Sequence, residues 1–228
     1  MNNHNRSGTL TAFRDEWVLR SMLARVGDVP EAVLLPVLRV TAEDRAAVDE
    51  GWAAIVSKRT GNRLFESPRW AWKRRYGQFV RELEWTTTAL TEQLPAEQVT
   101  ELVADAISLR LRRWLRRVLP AFEAVRMVPK GMRPPVMDVG VSVATFLVGP
   151  IHRTGIESDG TLVYEIPECA MHTSVSAPAA QRNSCLMGCK AACERVFDAD
   201  SAMPLEFDPH LPGLSCTLRV RPAAARTL

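Results

Sequence analysis

The first 168 residues of this 228-residue chain contain no cysteine, and all five cysteines lie from Cys169 to Cys216. Chemistry that depends on thiols is therefore confined to the C-terminal region. The N-terminus is polar and has no apolar stretch of the kind that forms a secretion signal. We expect a cytoplasmic protein with reduced thiols, because disulfides are rare in that compartment.

The chain also lacks a long hydrophobic run and a strong excess of either charge. Its longest apolar run, near 139–148, is about half of the roughly 20 residues that a membrane-spanning helix needs. The 29 basic and 26 acidic residues give a formal net charge of +3, which is too small for a dedicated nucleic-acid-binding protein. We predict a globular protein that neither spans a membrane nor binds nucleic acid.

Apolar residues recur at helical spacing through most of the first 120 residues. Thr41 with Asp44 is typical of a capped helix start, and Ser67 with Pro68 indicates a second start. A further helix is expected to begin after Pro95 and to end before Pro120. The N-terminal half is therefore predicted to be mostly helical.

The composition changes at 129–137, where three prolines and a glycine indicate a linker. Beyond it, a turn signal at 158–160 separates two candidate strands, and two more candidate strands follow the helical cysteine segment. The predicted fold class is α+β, with a mostly helical N-terminal half followed by a small cysteine-rich α+β C-terminal domain. The predicted divisions are a disordered tail 1–8, a helical domain 9–128, the linker 129–137, the cysteine-rich domain 138–222 and a tail 223–228.

Three of the cysteines have the spacing C-x3-C-x3-C, which on a helix forms one stripe of sulfur atoms. They are Cys185, Cys189 and Cys193. Clustered thiolates suit iron, an iron–sulfur cluster or zinc. On a straight α-helix the outer two would be about 12 Å apart, too far to hold one small cluster together. Either Gly188 breaks the helix, or an adjacent pair acts with Cys169 and Cys216.

Other interpretations of these residues stay open at this point. Cysteine is often an inert, buried core residue, and clustered thiols also serve in redox chemistry. Zinc competes with iron as the metal. His172 follows Cys169 by three residues and is the best candidate to complete a mixed cysteine and histidine site.

The predicted helix 95–119 contains the run LRLRRWLRRV, which places arginines on one face and apolar residues on another. Such a helix can lie on an anionic membrane surface. The alternative is a core helix whose arginine face is in water. Peripheral membrane contact through this helix is therefore one of two expectations.

Four segments of the C-terminal third resemble, in order and character, the C-terminal domain of the plant β-carotene isomerase family. They are FLVGPIHR, YEIPECAM, SCLMGCKAACERVF and MPLEFDPHLPGLSCTLRV, within about residues 138–221. The resemblance implies an iron-containing protein that moves a polyene double bond between trans and cis. It also implies that all five cysteines belong to the family motif, although the spacer between Cys169 and Cys185 is longer than in the plant pattern.

The sequence and this resemblance together predict an iron- or iron–sulfur-dependent isomerase. Its substrate would be a hydrophobic polyene, a carotenoid or a terpenoid, and its reaction could extend to an isoprenoid rearrangement or cyclisation. One alternative is a non-catalytic protein that senses metal or redox state and binds a partner. Another is an enzyme similar to aminothiazoline-carboxylate hydrolase, whose C-terminal half resembles the segment from Gly213 to Cys216.

Overall fold

The computed structural model describes residues 21, 23–59, 68–116, 123–142, 150–169 and 183–221. It confirms the α+β class, since helices are followed by a four-stranded antiparallel sheet in the C-terminal region. Within these described ranges, no helix is both long and apolar enough to cross a membrane. The predicted tails at 1–8 and 223–228 lie outside the described residues.

Helices account for most of the described residues of the N-terminal half, as the apolar periodicity predicts. A π-helical turn, Pro30–Leu34, leads into the first of four α-helices. These are α1 Leu35–Thr41, α2 Arg45–Ser57, α3 Pro68–Gln93 and α4 Ala96–Leu115. Thr41 ends α1, and Asp44 alone caps α2 by accepting the Ala47 N–H at 3.0 Å. The predicted end of α4 at Pro120 lies outside the described residues.

Residues 129–137, predicted to be a linker, instead contain a 3-10 turn and the beginning of a helix. The turn is Lys130–Met132, and the helix is α5, Arg133–Ser142. Pro134 and Pro135 stand in the first turn of α5, where a backbone N–H has no acceptor within the helix and proline is tolerated. These prolines therefore begin a helix. The division into two domains stays a prediction.

The C-terminal sheet has the strand order β1-β2-β4-β3, and all neighbouring strands are antiparallel. Its strands are β1 His152–Ile156, β2 Leu162–Ile166, β3 Leu205–Pro209 and β4 Cys216–Val220. The predicted turn joins β1 to β2, with Gly160 at a φ of 89°, a conformation that glycine adopts without strain. The carboxylate of Asp159 supports this turn by accepting the Thr161 N–H at 2.8 Å.

A helix that contains three cysteines packs along the free edge of β3. It consists of a π-helical segment, Ser184–Ala191, and α6, Ala192–Val196, and is called the cysteine helix below. Glu194 accepts the Phe207 N–H of β3 at 2.6 Å, and Lys190 donates to the Phe207 carbonyl. Lys190 also pairs with Glu194 at 2.8 Å. The side chains of the helix thus satisfy outward-facing backbone groups of an edge strand.

The opposite side of the cysteine helix contacts the N-terminal helices. Arg195 forms ion pairs with Glu101 and Asp105 of α4. A Cβ atom added at Gly188 would lie 2.7 Å from Cδ2 of Leu83, so the helix approaches α3 closely at this glycine. Buried side chains from α3, α4, α5 and the sheet form one hydrophobic core. The cysteine helix is therefore held between the helical half and the sheet.

Candidate functional site

Two of the five cysteines lie at one end of the sheet. Ile166, the last residue of β2, pairs with Cys216, the first residue of β4. After β2 ends, the Cys169 N–H donates to the carbonyl of Leu214 at 2.8 Å, just before β4 begins. Both cysteines are buried. Strand pairing and one backbone hydrogen bond thus bring Cys169 and Cys216 to the same end of the sheet.

The other three cysteines are on the cysteine helix, and this helix does not break. Cys185 and Cys189 lie in its π-helical segment, and Cys193 lies in α6. The expected break at Gly188 is absent because this glycine serves a close approach to Leu83, and the backbone widens there into i→i+5 hydrogen bonding. The structure therefore excludes only the alternative in which Gly188 breaks the helix, and a ligand set that includes Cys169 and Cys216 stays a prediction. Widened turns of this kind occur frequently at functional sites.

The cysteines of the two groups influence each other electrostatically, and together they are called the thiol site below. Burial raises the pKa of Cys216 to about 12, and Cys189 and Cys169 add to this effect. Burial, followed by Cys189, Cys169 and Cys216, raises the pKa of Cys185. A hydrogen bond with Cys193, followed by burial, raises the pKa of Cys189. These thiols keep their protons at neutral pH unless a cation compensates the charge of the thiolates.

Tyr76 of α3 is a buried tyrosine whose pKa the cysteines influence. Its side chain is only 3% exposed, and it belongs to the same hydrophobic core as Cys169 and Cys216. Burial raises the pKa of the Tyr76 hydroxyl, and Cys169 and Cys189 have the next largest effects. In the sequence, Tyr76 lies within the helix predicted to start at Ser67 and Pro68 and has no motif around it. Its rarity was the available signal, since the chain has only two tyrosines.

Glu84, also on α3, caps the N-terminus of the cysteine helix. Its carboxylate accepts the Ser184 N–H at 3.0 Å and the Thr88 hydroxyl at 3.1 Å. The side chain is buried, and this burial raises the pKa of Glu84 to about 7, although hydrogen bonds from Ser184 and Thr88 lower it in part. No sequence pattern singled out this residue. A cap supplied by a distant helix has no local signature.

Sulfur, the donor atom of the thiol site, is of the type that soft metals prefer. Five sulfur atoms suit iron, an iron–sulfur cluster or zinc. In the described part of the chain, no three His, Cys, Asp or Glu side chains are arranged to hold a metal ion. His172 lies outside the described residues. His210 is on the surface, where both ring nitrogens lie 3.0 Å from a hydroxyl, those of Ser215 and Thr217.

The basic helix predicted at 95–119 corresponds to α4 over its described residues. Its apolar side chains Leu111 and Trp114 pack against the core, and the Trp114 indole donates to Ser21 at 2.9 Å. Arg110 pairs with Asp28, at 3.2 Å. This part of the apolar face is thus covered by protein. Contact of α4 with a membrane stays a prediction.

Comparison of the chain with protein-family models, with curated proteins and with solved structures gave no match. The resemblance to the β-carotene isomerase family therefore stays a prediction that rests on the four C-terminal segments. Function must be argued from the thiol site and its surroundings.

Proposed function

We propose that the protein is a metal-dependent isomerase whose thiol site holds iron or an iron–sulfur cluster, with zinc as the competing metal. The observation that supports the proposal is that all five cysteines of the chain are buried or partly buried and lie on the cysteine helix or at one end of the adjoining sheet. Cysteines that serve only as small core residues have no reason to be restricted to one place in a chain of 228 residues. Binding of a cation would also compensate the charge of the thiolates.

The substrate part of the proposal is a hydrophobic polyene, a carotenoid or terpenoid, and it rests on the sequence resemblance. A metal centre bound at this site would supply a redox or Lewis-acid function that lowers the barrier to rotation about a double bond or to bond migration. The protein's own contribution is to fix the sulfur atoms. Glu84 holds the N-terminus of the cysteine helix, and Lys190 and Glu194 hold its C-terminal half against β3.

A redox-sensing role is the second candidate, and one observation favours it. Cys189 and Cys193 lie four residues apart on the cysteine helix, and they are the two cysteines of the chain that are partly exposed. Hydrogen peroxide would take two electrons and two protons from this pair, giving one disulfide and two water molecules. A reversible disulfide at these positions, without isomerase activity, would favour the sensor.

The metal site is tested first, on protein purified without oxygen. We expect the wild type to contain iron with visible absorption, and each of the variants Cys185→Ala, Cys189→Ala and Cys216→Ala to lose most of it, because each removes a sulfur ligand. Iron, zinc and acid-labile sulfide are measured per protein chain. Met187→Leu is the matched control, since Met187 is a buried residue of the same helix and the change conserves volume.

The outcomes of this test separate the candidates. A wild type that remains metal-free and colourless after anaerobic reconstitution with iron and sulfide would contradict the metal site. Zinc retained in place of iron would identify the competing metal and exclude a redox role for it. Loss of iron in Met187→Leu as well as in the cysteine variants would point to a general disturbance of the helix.

Isomerase activity is the second measurement. We expect the metal-loaded wild type to change the cis-to-trans ratio of an all-trans carotenoid in detergent micelles, followed by liquid chromatography. Cys189→Ala should leave the ratio unchanged, whereas Met187→Leu should behave as the wild type. If the metal-loaded wild type leaves every polyene tested unchanged, the substrate assignment is wrong even where the metal site is real.

A further inference from the structure

The region around α5 has exposed apolar side chains close together in the chain. Among the residues that the structure describes, eight large hydrophobic side chains are exposed, and four of them lie between residues 127 and 139. The other four are scattered, one each on α1, α4, β1 and the loop before β4. Single exposed hydrophobic residues are normal, whereas a group of them marks a place of interaction.

Three of the four residues lie on one side of α5. Met132 directly precedes the helix, and Val136 and Val139 follow at spacings of four and three residues, which bring side chains to the same side. They are called the α5 patch below. Met137 and Val141 belong to the hydrophobic core and lie on nearly the opposite side, at about 100° per residue. The helix is therefore apolar on two sides, and the fold buries one of them.

Arg133 holds the start of α5 against the preceding turn. Its guanidinium donates to the carbonyls of Arg126 and Val128, at 3.2 and 2.9 Å. Met127, the fourth exposed residue, lies between these two in the chain and is thus held near the start of α5. Carbonyl groups are neutral, so these two hydrogen bonds do not compensate the positive charge of Arg133.

The charges around the α5 patch are mainly positive. Lys130 and Arg133 flank Met132 in the chain. The acidic residue of α5, Asp138, is paired with Arg153 at 3.0 Å, so its negative charge is compensated. Apolar side chains flanked by basic ones suit an anionic membrane surface, because the former enter the lipid and the latter attract its headgroups.

A second copy of the chain is less suited to cover the α5 patch. A stable interface buries about 800 Å² per partner, whereas the largest apolar patch on an ordinary monomer is about 300–600 Å². A symmetric dimer through this patch would also bring the positive charges of two copies together. Both the small area and the charge favour lipid.

We propose that the α5 patch binds the surface of an anionic lipid membrane, with Met132, Val136 and Val139 inserted at the boundary between headgroups and acyl chains. The sequence placed membrane contact on α4, whose apolar residues Leu111 and Trp114 pack against the core. The proposal moves the contact to another helix, and it does not depend on a metal at the thiol site.

Binding of the full chain to vesicles tests the proposal. Vesicles of phosphatidylcholine alone are compared with vesicles of phosphatidylcholine and phosphatidylserine in equal parts, and bound protein is measured by sedimentation. We expect the wild type to bind the anionic vesicles about 10-fold or more tightly than the neutral ones, since each basic residue near the surface adds to the attraction. Binding should weaken as the salt concentration rises.

The chain offers two matched pairs of variants. Val139→Glu changes the patch, and Val40→Glu makes the same change at a valine of α1 that is 85% exposed. Met132→Glu is paired with Leu109→Glu, at an exposed residue of α4. Val139→Glu and Met132→Glu should each weaken binding to the anionic vesicles about 10-fold or more, because each keeps one apolar side chain out of the lipid. The other two variants should bind as the wild type does.

Every other outcome overturns the proposal. A wild type that binds neither kind of vesicle, or binds both equally, would contradict an anionic lipid surface. Equal losses in Val40→Glu and Val139→Glu would show a general effect of the added charge, and a loss in Leu109→Glu alone would assign the contact to α4. A wild type that is dimeric in analytical ultracentrifugation, and that Val139→Glu makes monomeric, would show that a second copy covers the patch.

Discussion

The variant Glu84→Gln is expected to be more stable than the wild type at pH 8 and about as stable near pH 4.5. Burial raises the pKa of Glu84 from 4.5 to about 7, so the folded state binds its proton more tightly than the unfolded state does. Between these two values the folded protein holds more protons than the unfolded chain. The free energy of unfolding of the wild type therefore falls as pH rises from about 4.5 to about 7, and it is constant above that window as far as this group is concerned.

The size of this effect follows from the shift of the pKa. One unit corresponds to about 1.4 kcal/mol, so ionisation of Glu84 costs the folded state on the order of 3 kcal/mol above pH 7. Glutamine does not ionise, and its amide oxygen still accepts the Ser184 N–H, which keeps the cap of the cysteine helix. The free energy of unfolding is measured by urea denaturation at intervals from pH 4.5 to pH 8.

The control for this prediction is Glu92→Gln, an exposed glutamate of the same helix. Its difference from the wild type should show no comparable dependence on pH. A constant difference between Glu84→Gln and the wild type from pH 4.5 to pH 8 would show that the carboxylate is not buried against the cysteine helix. Glu84→Leu should be less stable than Glu84→Gln at every pH, because it leaves the buried Ser184 N–H without this acceptor.

The parts of the fold that depend on neighbouring residues were predictable from the sequence. Asp44 caps α2 by accepting a hydrogen bond from the backbone N–H of Ala47, three residues later in the chain. The turn at 158–160 requires a glycine at positive φ. Strands β3 and β4 were visible as short apolar runs. Each of these signals involves residues only a few positions apart in the chain. The α+β class could therefore be derived without knowledge of the packing.

Local signals failed where their meaning depends on context. Pro134 and Pro135 fit a linker and the first turn of a helix equally well, and they belong to α5. Gly188 is a helix breaker by propensity, yet it lies within the cysteine helix, at the point where that helix approaches Leu83 of α3 closely. The position of α3 decides this case, and the residues close to Gly188 in the sequence do not indicate that position.

The candidate site likewise contains residues that the sequence predicted and residues that it did not. Its sulfur atoms were found because cysteine is rare in this chain and restricted to one region. The residue that caps the cysteine helix, Glu84, is contributed by α3, a hundred residues earlier in the chain than Ser184. The role of Glu84 arises from the packing of α3 against the cysteine helix. The sequence of a single segment carries no information on that packing.

The packing of α3 on the cysteine helix leads to the last prediction, a double-mutant cycle between Leu83 and Gly188. Leu83 is fully buried, and Leu83→Ala is expected to cost about 2–5 kcal/mol of the free energy of unfolding. Gly188→Ala is expected to cost about 1–3 kcal/mol, because its new Cβ would lie 2.7 Å from Cδ2 of Leu83. The double variant should lose less than the sum, since Leu83→Ala removes the atom that the new methyl group meets.

Urea denaturation of the four proteins gives the coupling energy, which we expect to be about 1 kcal/mol or more. Gly131→Ala is the control, because a Cβ at this exposed glycine would have no described atom within 4 Å. It should change the free energy of unfolding by about 0.5 kcal/mol at most, and it should be additive with Leu83→Ala. Additivity of Leu83→Ala with Gly188→Ala as well would mean that α3 does not contact the cysteine helix at this glycine.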